Sequence, residues 1–205
     1  MTTGSVAVIG AGIIGRAWAI TFARAGHDVR LHDSDPGAGE KARAAIRELL
    51  GELERFDLLA GQPASAVAGR IATTTDLPQA LAGAEYIQEC TPENVDAKRA
   101  IFAVLDAETA DTAIIASSSS AVLPSRFTAE LPGRHRCLVV HPINPPYVVP
   151  AVEIVPAPWT DKATVERTKA FMLGCGQSPI VMATEAEGFI MNCLQGALLQ
   201  EAFRL

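Results

Sequence analysis

The sequence lacks the features that mark membrane, secreted and nucleic-acid-binding proteins. No apolar stretch reaches 18 residues, and the first residues carry no positive charge, so neither a membrane span nor a signal peptide is predicted. Runs of lysine or arginine are missing and the formal net charge is −6, which argues against nucleic acid or an anionic membrane as the main partner. We therefore expect a small-molecule substrate and a cytoplasmic location.

Closely spaced cysteines are also missing. Cys90, Cys137, Cys175 and Cys193 lie far apart, without the CxxC spacing that structural zinc sites use. Most of them have apolar neighbours in the sequence, which suits small buried hydrophobic residues better than metal ligands or disulfides. We expect no metal site.

What is present is an alternation of short β-branched segments with longer alanine-rich amphipathic ones. This pattern is typical of a parallel sheet covered by helices, and 205 residues with 49% hydrophobic composition can bury a sizeable core. We predict an α/β fold, a Rossmann-type doubly wound and mainly parallel sheet. The predicted strands are residues 6–9, 28–32, 70–73, 86–89, 113–116, 137–140, 152–155 and 178–181, and the predicted helices are residues 13–25, 36–59, 95–108, 162–173 and 188 onward.

The last predicted helix keeps its apolar periodicity up to Leu205 and shows no capping signal. An apolar face of this kind needs a partner. We therefore expect two parts, residues 1–184 as the sheet domain and residues 185–205 as the first helix of a helical domain that is missing or supplied by another molecule. That domain would serve substrate binding and the formation of a homodimer.

Three glycines follow the first strand, at the start of the first helix. In this pattern Gly10 permits the turn, Gly12 lets the backbone approach a pyrophosphate, and Gly15 lets the helix meet the sheet. The phosphates would lie at the helix N-terminus, beside Ile13 and Ile14. The alternative is that these glycines serve only a tight strand-to-helix turn.

An acidic residue, Asp33, ends the second predicted strand, where a carboxylate can accept hydrogen bonds from both hydroxyls of a ribose. Its charge would repel a 2′-phosphate, and Ser34 supplies no positive charge to neutralise one. The glycines and Asp33 together predict NAD, rather than NADP, as the cofactor.

One histidine and one glutamate, His141 and Glu153, lie within an otherwise apolar, proline-rich stretch at residues 141–156. An imidazole beside a carboxylate can act as a general base, and ends of strands would hold both groups rigidly. The alternative is a core histidine that a structural acid satisfies.

Taken together, these residues resemble the NAD-binding domain of the 3-hydroxyacyl-CoA dehydrogenase superfamily over residues 5–205, and its L-gulonate 3-dehydrogenase or lambda-crystallin branch in particular. Acyl-CoA members typically carry two phenylalanines after the histidine. Pro142 and Ile143 stand there in this sequence, which favours the branch that does not use CoA. The segments that carry the resemblance are QECTPE at 88–93, SSSS at 117–120, HPINPPY at 141–147, VEIVP at 152–156 and GFIMN at 188–192.

For catalysis, the resemblance implies that His141 is the base and Glu153 its partner, and that Ser120 and Asn192 hold the substrate oxygen. Because the serine run departs from the acyl-CoA pattern, Ser119 is an alternative to Ser120. The position of Asn192 inside a helix, where asparagine is a poor helix former, also favours a polar role.

For cofactor binding, the resemblance implies Glu93 and Lys98 at the mouth of the fourth strand, and Ser120 and Asn144 near the nicotinamide. Simpler roles remain open. Glu93 could be an acid beside a helix start, Lys98 a solvated lysine, and the serine run a loop that bonds its own backbone.

The activity implied is NAD-dependent oxidation of the 3-hydroxyl group of a small hydroxy acid, similar to L-gulonate, to the 3-keto acid. A second possibility is an L-3-hydroxyacyl-CoA dehydrogenase, for which Lys41, Arg43 and Arg47 are the only nearby cations able to meet CoA phosphates. Oxidation of L-carnitine would need an acidic or aromatic cage, which the sequence does not reveal. A non-catalytic protein that binds NAD is the fourth possibility.

Overall fold

The computed structural model describes residues 4–205, and all eight predicted strands are present in it. Their bounds are β1 Ser5–Ile9, β2 Asp28–His32, β3 Ile71–Thr74, β4 Ala84–Glu89, β5 Ile114–Ser117, β6 Cys137–Pro142, β7 Ala151–Pro156 and β8 Ser178–Val181. They form one sheet in the order β3, β2, β1, β4, β5, β6, β7, β8. Strands β1 to β6 form the doubly wound core of the sheet. The predicted Rossmann-type fold is therefore confirmed.

Eight α-helices are found within residues 4–205. They are α1 Ile13–Arg24, α2 Pro36–Arg55, α3 Ala64–Gly69, α4 Leu77–Leu81, α5 Val95–Glu108, α6 Ser125–Thr128, α7 Lys162–Gly174 and α8 Phe189–Arg204. The five predicted helices are all present, and the short helices α3, α4 and α6 were not predicted. Among residues 4–205, no helix combines the length and the apolar character that crossing a membrane requires.

The second helix ends four residues earlier than the prediction, at Arg55. Asp57 takes a left-handed conformation with φ of 55°. Its N–H bonds to the Glu54 carbonyl at 3.1 Å, and the N–H of Leu58 bonds to the Leu53 carbonyl at 2.9 Å. This is the hydrogen-bond pattern of a Schellman motif, which ends a helix although the apolar periodicity continues beyond it.

Strands β1 to β6 are parallel, β7 is antiparallel to β6, and β8 is parallel to β7. The carboxyl ends of the first six strands therefore meet the amino ends of β7 and β8 at one edge of the sheet. In the β6–β7 pairing, His141 lies directly opposite Glu153. The reversal of chain direction between β6 and β7 thus brings the two predicted catalytic residues, His141 and Glu153, side by side.

Side chains of β1 alternate between two cores, one on each face of the sheet. Val6 and Val8 belong to a cluster with Trp18 and Phe22 of α1. Ala7 and Ile9 belong to a second cluster, which includes Phe102, Phe127 and Phe189. Both faces are therefore covered, as the near-continuous apolar character of the strands requires.

Helix α8 differs from the other long helices because most of it is exposed. Leu194, Leu198, Leu199 and Phe203 all face solvent, whereas Phe189 at its start is buried. Cys193 on the same helix is also exposed, in contrast to the buried Cys137 and Cys175. The division at residue 184 remains a prediction.

Candidate active site

The glycine loop between β1 and α1 uses its three glycines for different purposes. Gly10 has φ of 104°, and a Cβ there would lie 2.7 Å from the Cys90 carbonyl oxygen. A Cβ on Gly15 would overlap the Gly10 carbonyl oxygen, whereas a Cβ on Gly12 would meet nothing within 4 Å. Gly10 and Gly15 are therefore required by the close packing of the backbone, and Gly12 borders open space.

That open space has the character of a phosphate site. Gly12 is the N-cap of α1 and makes no side-chain capping hydrogen bond, so the first N–H groups of the helix remain available to an anion. Ile13 beside it is 76% exposed, which is unusual for isoleucine, and Ile14 is half-buried.

Asp33 is fixed between the glycine loop and the start of α2. Its Oδ2 accepts a hydrogen bond from the Ala11 N–H at 2.8 Å, and its Oδ1 accepts one from the Asp35 N–H at 3.0 Å. Each carboxylate oxygen has a further lone pair, which can accept a ribose hydroxyl. Exposed helix N–H groups, an open Gly12 and a fixed carboxylate are the set of groups that an NAD molecule requires, so the residues present fit this cofactor.

The carboxylate of Glu93 organises the serine loop that follows β5. It accepts hydrogen bonds from the Ser119 hydroxyl and from the N–H groups of Val122 at 3.1 Å, Ala121 at 3.3 Å and Ser120 at 3.4 Å. Partial desolvation disfavours its charge, but the Ser119 and backbone hydrogen bonds, with the nearby Lys98 charge, outweigh that effect and lower the pKa of Glu93.

These bonds distinguish the two candidate serines. Ser119 is buried and its hydroxyl is bonded to Glu93, whereas the side chain of Ser120 is exposed. The Ser120 carbonyl accepts a hydrogen bond from the Asn192 Nδ2 at 2.7 Å. The structure therefore places Asn192 beside Ser120 and leaves the Ser120 side chain at the surface, and their role toward a substrate stays a prediction.

Lys98 is not a solvated lysine. It is 1% exposed, and its Nζ lies 3.0 Å from Glu89 Oε2 and 3.2 Å from Glu89 Oε1. Nζ also donates to the Ser117 Oγ at 3.3 Å, and the Ser117 hydroxyl donates to Glu89 at 2.5 Å. Sequence reasoning missed Glu89 as its partner, although an acid at the end of an otherwise buried strand is a signal for such a pair.

His141 and Glu153 form a buried pair. The distance from His141 Nδ1 to Glu153 Oε2 is 2.6 Å, and both side chains are shielded from solvent. With Nδ1 bonded to a carboxylate, Nε2 is the ring nitrogen left to exchange a proton, and it has no hydrogen-bond partner among residues 4–205. This is the arrangement of a general base held in one tautomer.

The second carboxylate oxygen of Glu153, Oε1, has different hydrogen-bond partners. Oε1 accepts hydrogen bonds from the N–H groups of Ile190 at 2.7 Å and Met191 at 2.9 Å, in the first turn of α8. Sequence reasoning gave Glu153 a single partner. The link to α8 joins residues 37 positions apart or more, so spacing alone does not reveal it.

Asn144 is exposed. It lines a cavity of about 340 Å³ with Ile13, Ile14 and Tyr147. In the part of the chain that the structure describes, no hydrogen bond joins it to another predicted site residue. Asn144 thus borders the first turn of α1.

A second group that the sequence analysis did not assign lies beneath the glycine loop. The Ser118 Oγ accepts hydrogen bonds from the Trp18 Nε1 at 3.0 Å and from the Gln88 Nε2 at 2.7 Å, and lies 3.2 Å from the Cys90 Sγ. Burial raises the pKa of the Cys90 thiol to about 12, so this cysteine is not a nucleophile near neutral pH. The group joins α1 to β4 and β5.

Comparisons with known proteins agree with this arrangement. A family described as "3-hydroxyacyl-CoA dehydrogenase, NAD binding domain" matches residues 5–186. The lambda-crystallin homolog of Bos taurus is 46% identical over 203 residues, which cover 98% of this chain and 63% of the relative. An L-carnitine dehydrogenase of Streptomyces griseus is 38% identical over 200 residues, which cover 98% of this chain and 58% of the relative.

Among solved structures, 3-hydroxybutyryl-CoA dehydrogenase from Escherichia coli superposes with a TM-score of 0.93 at 27% sequence identity. The superposition covers 100% of this chain and 43% of the other. The chain therefore spans less than two thirds of the length of each of these proteins.

Proposed function

Because the chain belongs to the 3-hydroxyacyl-CoA dehydrogenase family through its NAD-binding domain, we propose that it serves the oxidation of a 3-hydroxyl group by NAD. The proposed substrate is a small hydroxy acid similar to L-gulonate, and the product is the 3-keto acid. The observation that carries this proposal is the 2.6 Å contact between His141 Nδ1 and Glu153 Oε2 in a buried site.

In this proposal, His141 Nε2 removes the proton of the substrate hydroxyl. Bound NAD supplies the hydride acceptor. Glu153 keeps the Nδ1 proton in place and stabilises the imidazolium that forms, because its negative charge lies next to the ring. Ser120 and Asn192 hold the substrate oxygen, and their hydrogen-bonded contact supports a shared role.

The cofactor would lie along the carboxyl edge of the first strands. Gly10, Gly12 and Gly15 shape the pyrophosphate site and Asp33 binds the ribose, which favours NAD over NADP. Glu93 would act indirectly, by ordering the serine loop. The buried Lys98 would act through its positive charge, from below the cofactor site. The further cofactor contacts we propose are made by Ile13, Ile14, Ser120 and Asn144.

The charges on α2 favour a substrate without CoA. Arg43 and Arg47 line a cavity of about 530 Å³ that also includes Ile71 at the amino end of β3, on the opposite edge of the sheet from His141. These cations therefore lie away from the edge of the sheet where a CoA thioester would meet His141.

L-carnitine oxidation is a second candidate function. The observation that favours it is the 38% identity of this chain to an L-carnitine dehydrogenase of Streptomyces griseus.

A comparison of initial rates of NADH formation with L-gulonate, L-carnitine and L-3-hydroxybutyryl-CoA tests these proposals. We expect turnover of L-gulonate and none of the CoA thioester. Faster turnover of L-carnitine than of L-gulonate would identify L-carnitine as the preferred substrate. Binding of NAD without turnover of any of the three would contradict the proposed activity and favour a non-catalytic role for this chain.

A cytoplasmic homodimer is part of the same proposal. The exposed leucines of α8 and Phe203 support a contact between copies through this helix. Measurement of the molar mass in solution by light scattering tests it, and a monomer at micromolar concentration would contradict it.

A further inference from the structure

Helix α8 begins with an unusual turn. Gly188 has φ of 77° and Phe189 has φ of 49°, so two successive residues are in the left-handed region. Such a conformation is uncommon for a residue other than glycine and indicates a position that its surroundings hold firmly. A Cβ on Gly188 would also lie 3.2 Å from the Cys193 Sγ, so the turn leaves little room for a side chain there.

The turn places the ring of Phe189 against the proposed base. Phe189 is 2% exposed, and it is the buried residue of an otherwise mostly exposed helix. The centroids of the Phe189 and His141 rings lie 5.6 Å apart, with 55° between the ring planes. An aromatic ring at this position restricts rotation of the imidazole about its bond to Cβ.

The turn also directs backbone N–H groups to Glu153. Ile190 and Met191 directly follow Phe189, and both donate to Glu153 Oε1. A carboxylate at a helix N-terminus gains from the helix dipole as well as from these bonds. With Oε1 fixed, the carboxylate cannot rotate freely, so Oε2 remains directed at His141 Nδ1.

We propose that Phe189 is a positioning residue for His141, and that the Gly188–Phe189 turn sets the tautomer and orientation of the imidazole. The ring of Phe189 restrains His141 directly, and the N–H groups that follow it restrain His141 through Glu153. This inference deepens the proposed function, since it concerns the same base, but its main test does not depend on turnover.

Nitrogen-15 NMR of histidine-labelled protein is the test. The chain has four histidines, so His27, His32 and His135 serve as internal references for His141. In the unaltered chain we expect His141 to be in a single tautomer with the proton on Nδ1. We also expect cross-relaxation between the ring protons of His141 and Phe189, because their rings are in contact.

Two variants alter the turn and a third is its matched control. Phe189→Leu keeps an apolar side chain but removes the ring, and Gly188→Ala disturbs the left-handed turn. We expect each to give a mixture of His141 tautomers, seen as a change in the nitrogen-15 shifts of that ring alone. Gly196→Ala lies on the same helix, where a Cβ meets nothing within 4 Å, and should leave all four histidines unchanged.

Activity measurements add a second readout. Phe189→Leu should lower kcat about tenfold and leave the Kd for NAD unchanged, since the ring lies next to the base and not next to the glycine loop. Unchanged His141 signals in both turn variants would overturn the inference, and so would shifts of all four histidines together. Absence of the cross-relaxation in the unaltered chain would overturn it even if both variants failed to fold. Failure of the proposed function would show instead as an unaltered chain that has the expected spectrum and no turnover.

Discussion

Two glutamates lie fully buried at the carboxyl edge of the sheet, and they are balanced in different ways. Glu89 at the end of β4 meets the ammonium of Lys98 and accepts hydrogen bonds from Ser117 and Thr91. Glu153 in β7 meets the imidazole of His141 and accepts hydrogen bonds from two backbone N–H groups. An ammonium paired with a carboxylate keeps its charge near neutral pH, but histidine side chains as a class gain and lose a proton there. The partner of a buried carboxylate therefore decides whether the pair holds a fixed charge or offers a group that can exchange a proton.

Of the variants that distinguish the Glu153–His141 pair from the Glu89–Lys98 pair, His141→Ala should have the largest effect. We expect turnover of the accepted hydroxy acid to fall by about 10²- to 10⁴-fold, because the general base is lost, while the Kd for NAD changes little. Initial rates and calorimetric titration with NAD measure these two quantities. The exposed His135→Ala is the matched control, and retention of the rate by His141→Ala would show that another group is the base.

Lys98→Met should have the second largest effect, a decrease in the free energy of unfolding. Removal of the ammonium leaves the buried Glu89 without its counter-charge, and hydrogen bonds from Ser117 and Thr91 offset only part of that loss. The free energy of unfolding should therefore fall by about 3 kcal/mol. Urea denaturation of this variant and of the exposed Lys162→Met control measures the difference. The double variant Lys98→Met with Glu89→Gln should recover part of the loss. A loss no larger than that of the control would mean that the buried pair is not structural.

A third acid, Glu93, is more exposed than Glu89 and Glu153, and it accepts hydrogen bonds from the serine loop. Glu93→Gln should lower the free energy of unfolding by about 1 kcal/mol at pH 7, a small value because solvent screens the site. The pKa of Glu93 is lowered in the folded state, so its ionised form favours folding at neutral pH. That contribution is lost as the pH falls below the usual glutamate range, through the folded-state pKa.

Denaturant unfolding at pH 7 and at about pH 3 checks this sign, since carboxylates ionise between these values. The difference between the unaltered chain and Glu93→Gln should shrink at the lower pH. Glu166→Gln, on an exposed part of α7, is the control. A difference that grows in acid would contradict the assignment of Glu93 as a charged anchor of the loop.

The parts of the fold that follow from local patterns could be predicted from the sequence. The alternation of strands and helices, the glycine loop and Asp33 all depend on residues close to one another along the chain. The pairing of His141 with Glu153 was also within reach, because both lie in one apolar segment of 16 residues.

The rest depends on contacts between distant residues. Nine positions separate Glu89 from Lys98, and only the packing of α5 on the sheet shows that the lysine points inward. The left-handed conformation of Phe189 is held by tertiary contacts and has no signature in composition. The early end of α2 depends on a few backbone hydrogen bonds, which the apolar periodicity of the following leucines conceals.

The antiparallel register of β6 and β7 restricts which changes of length this region can accept. Insertion or deletion of a single residue within either strand would turn His141 and Glu153 toward opposite faces of the sheet. An insertion near the exposed Val148, in the connecting loop, would leave the register intact. Genetic variation in chain length should therefore be tolerated in this loop and eliminated from the two strands that it joins.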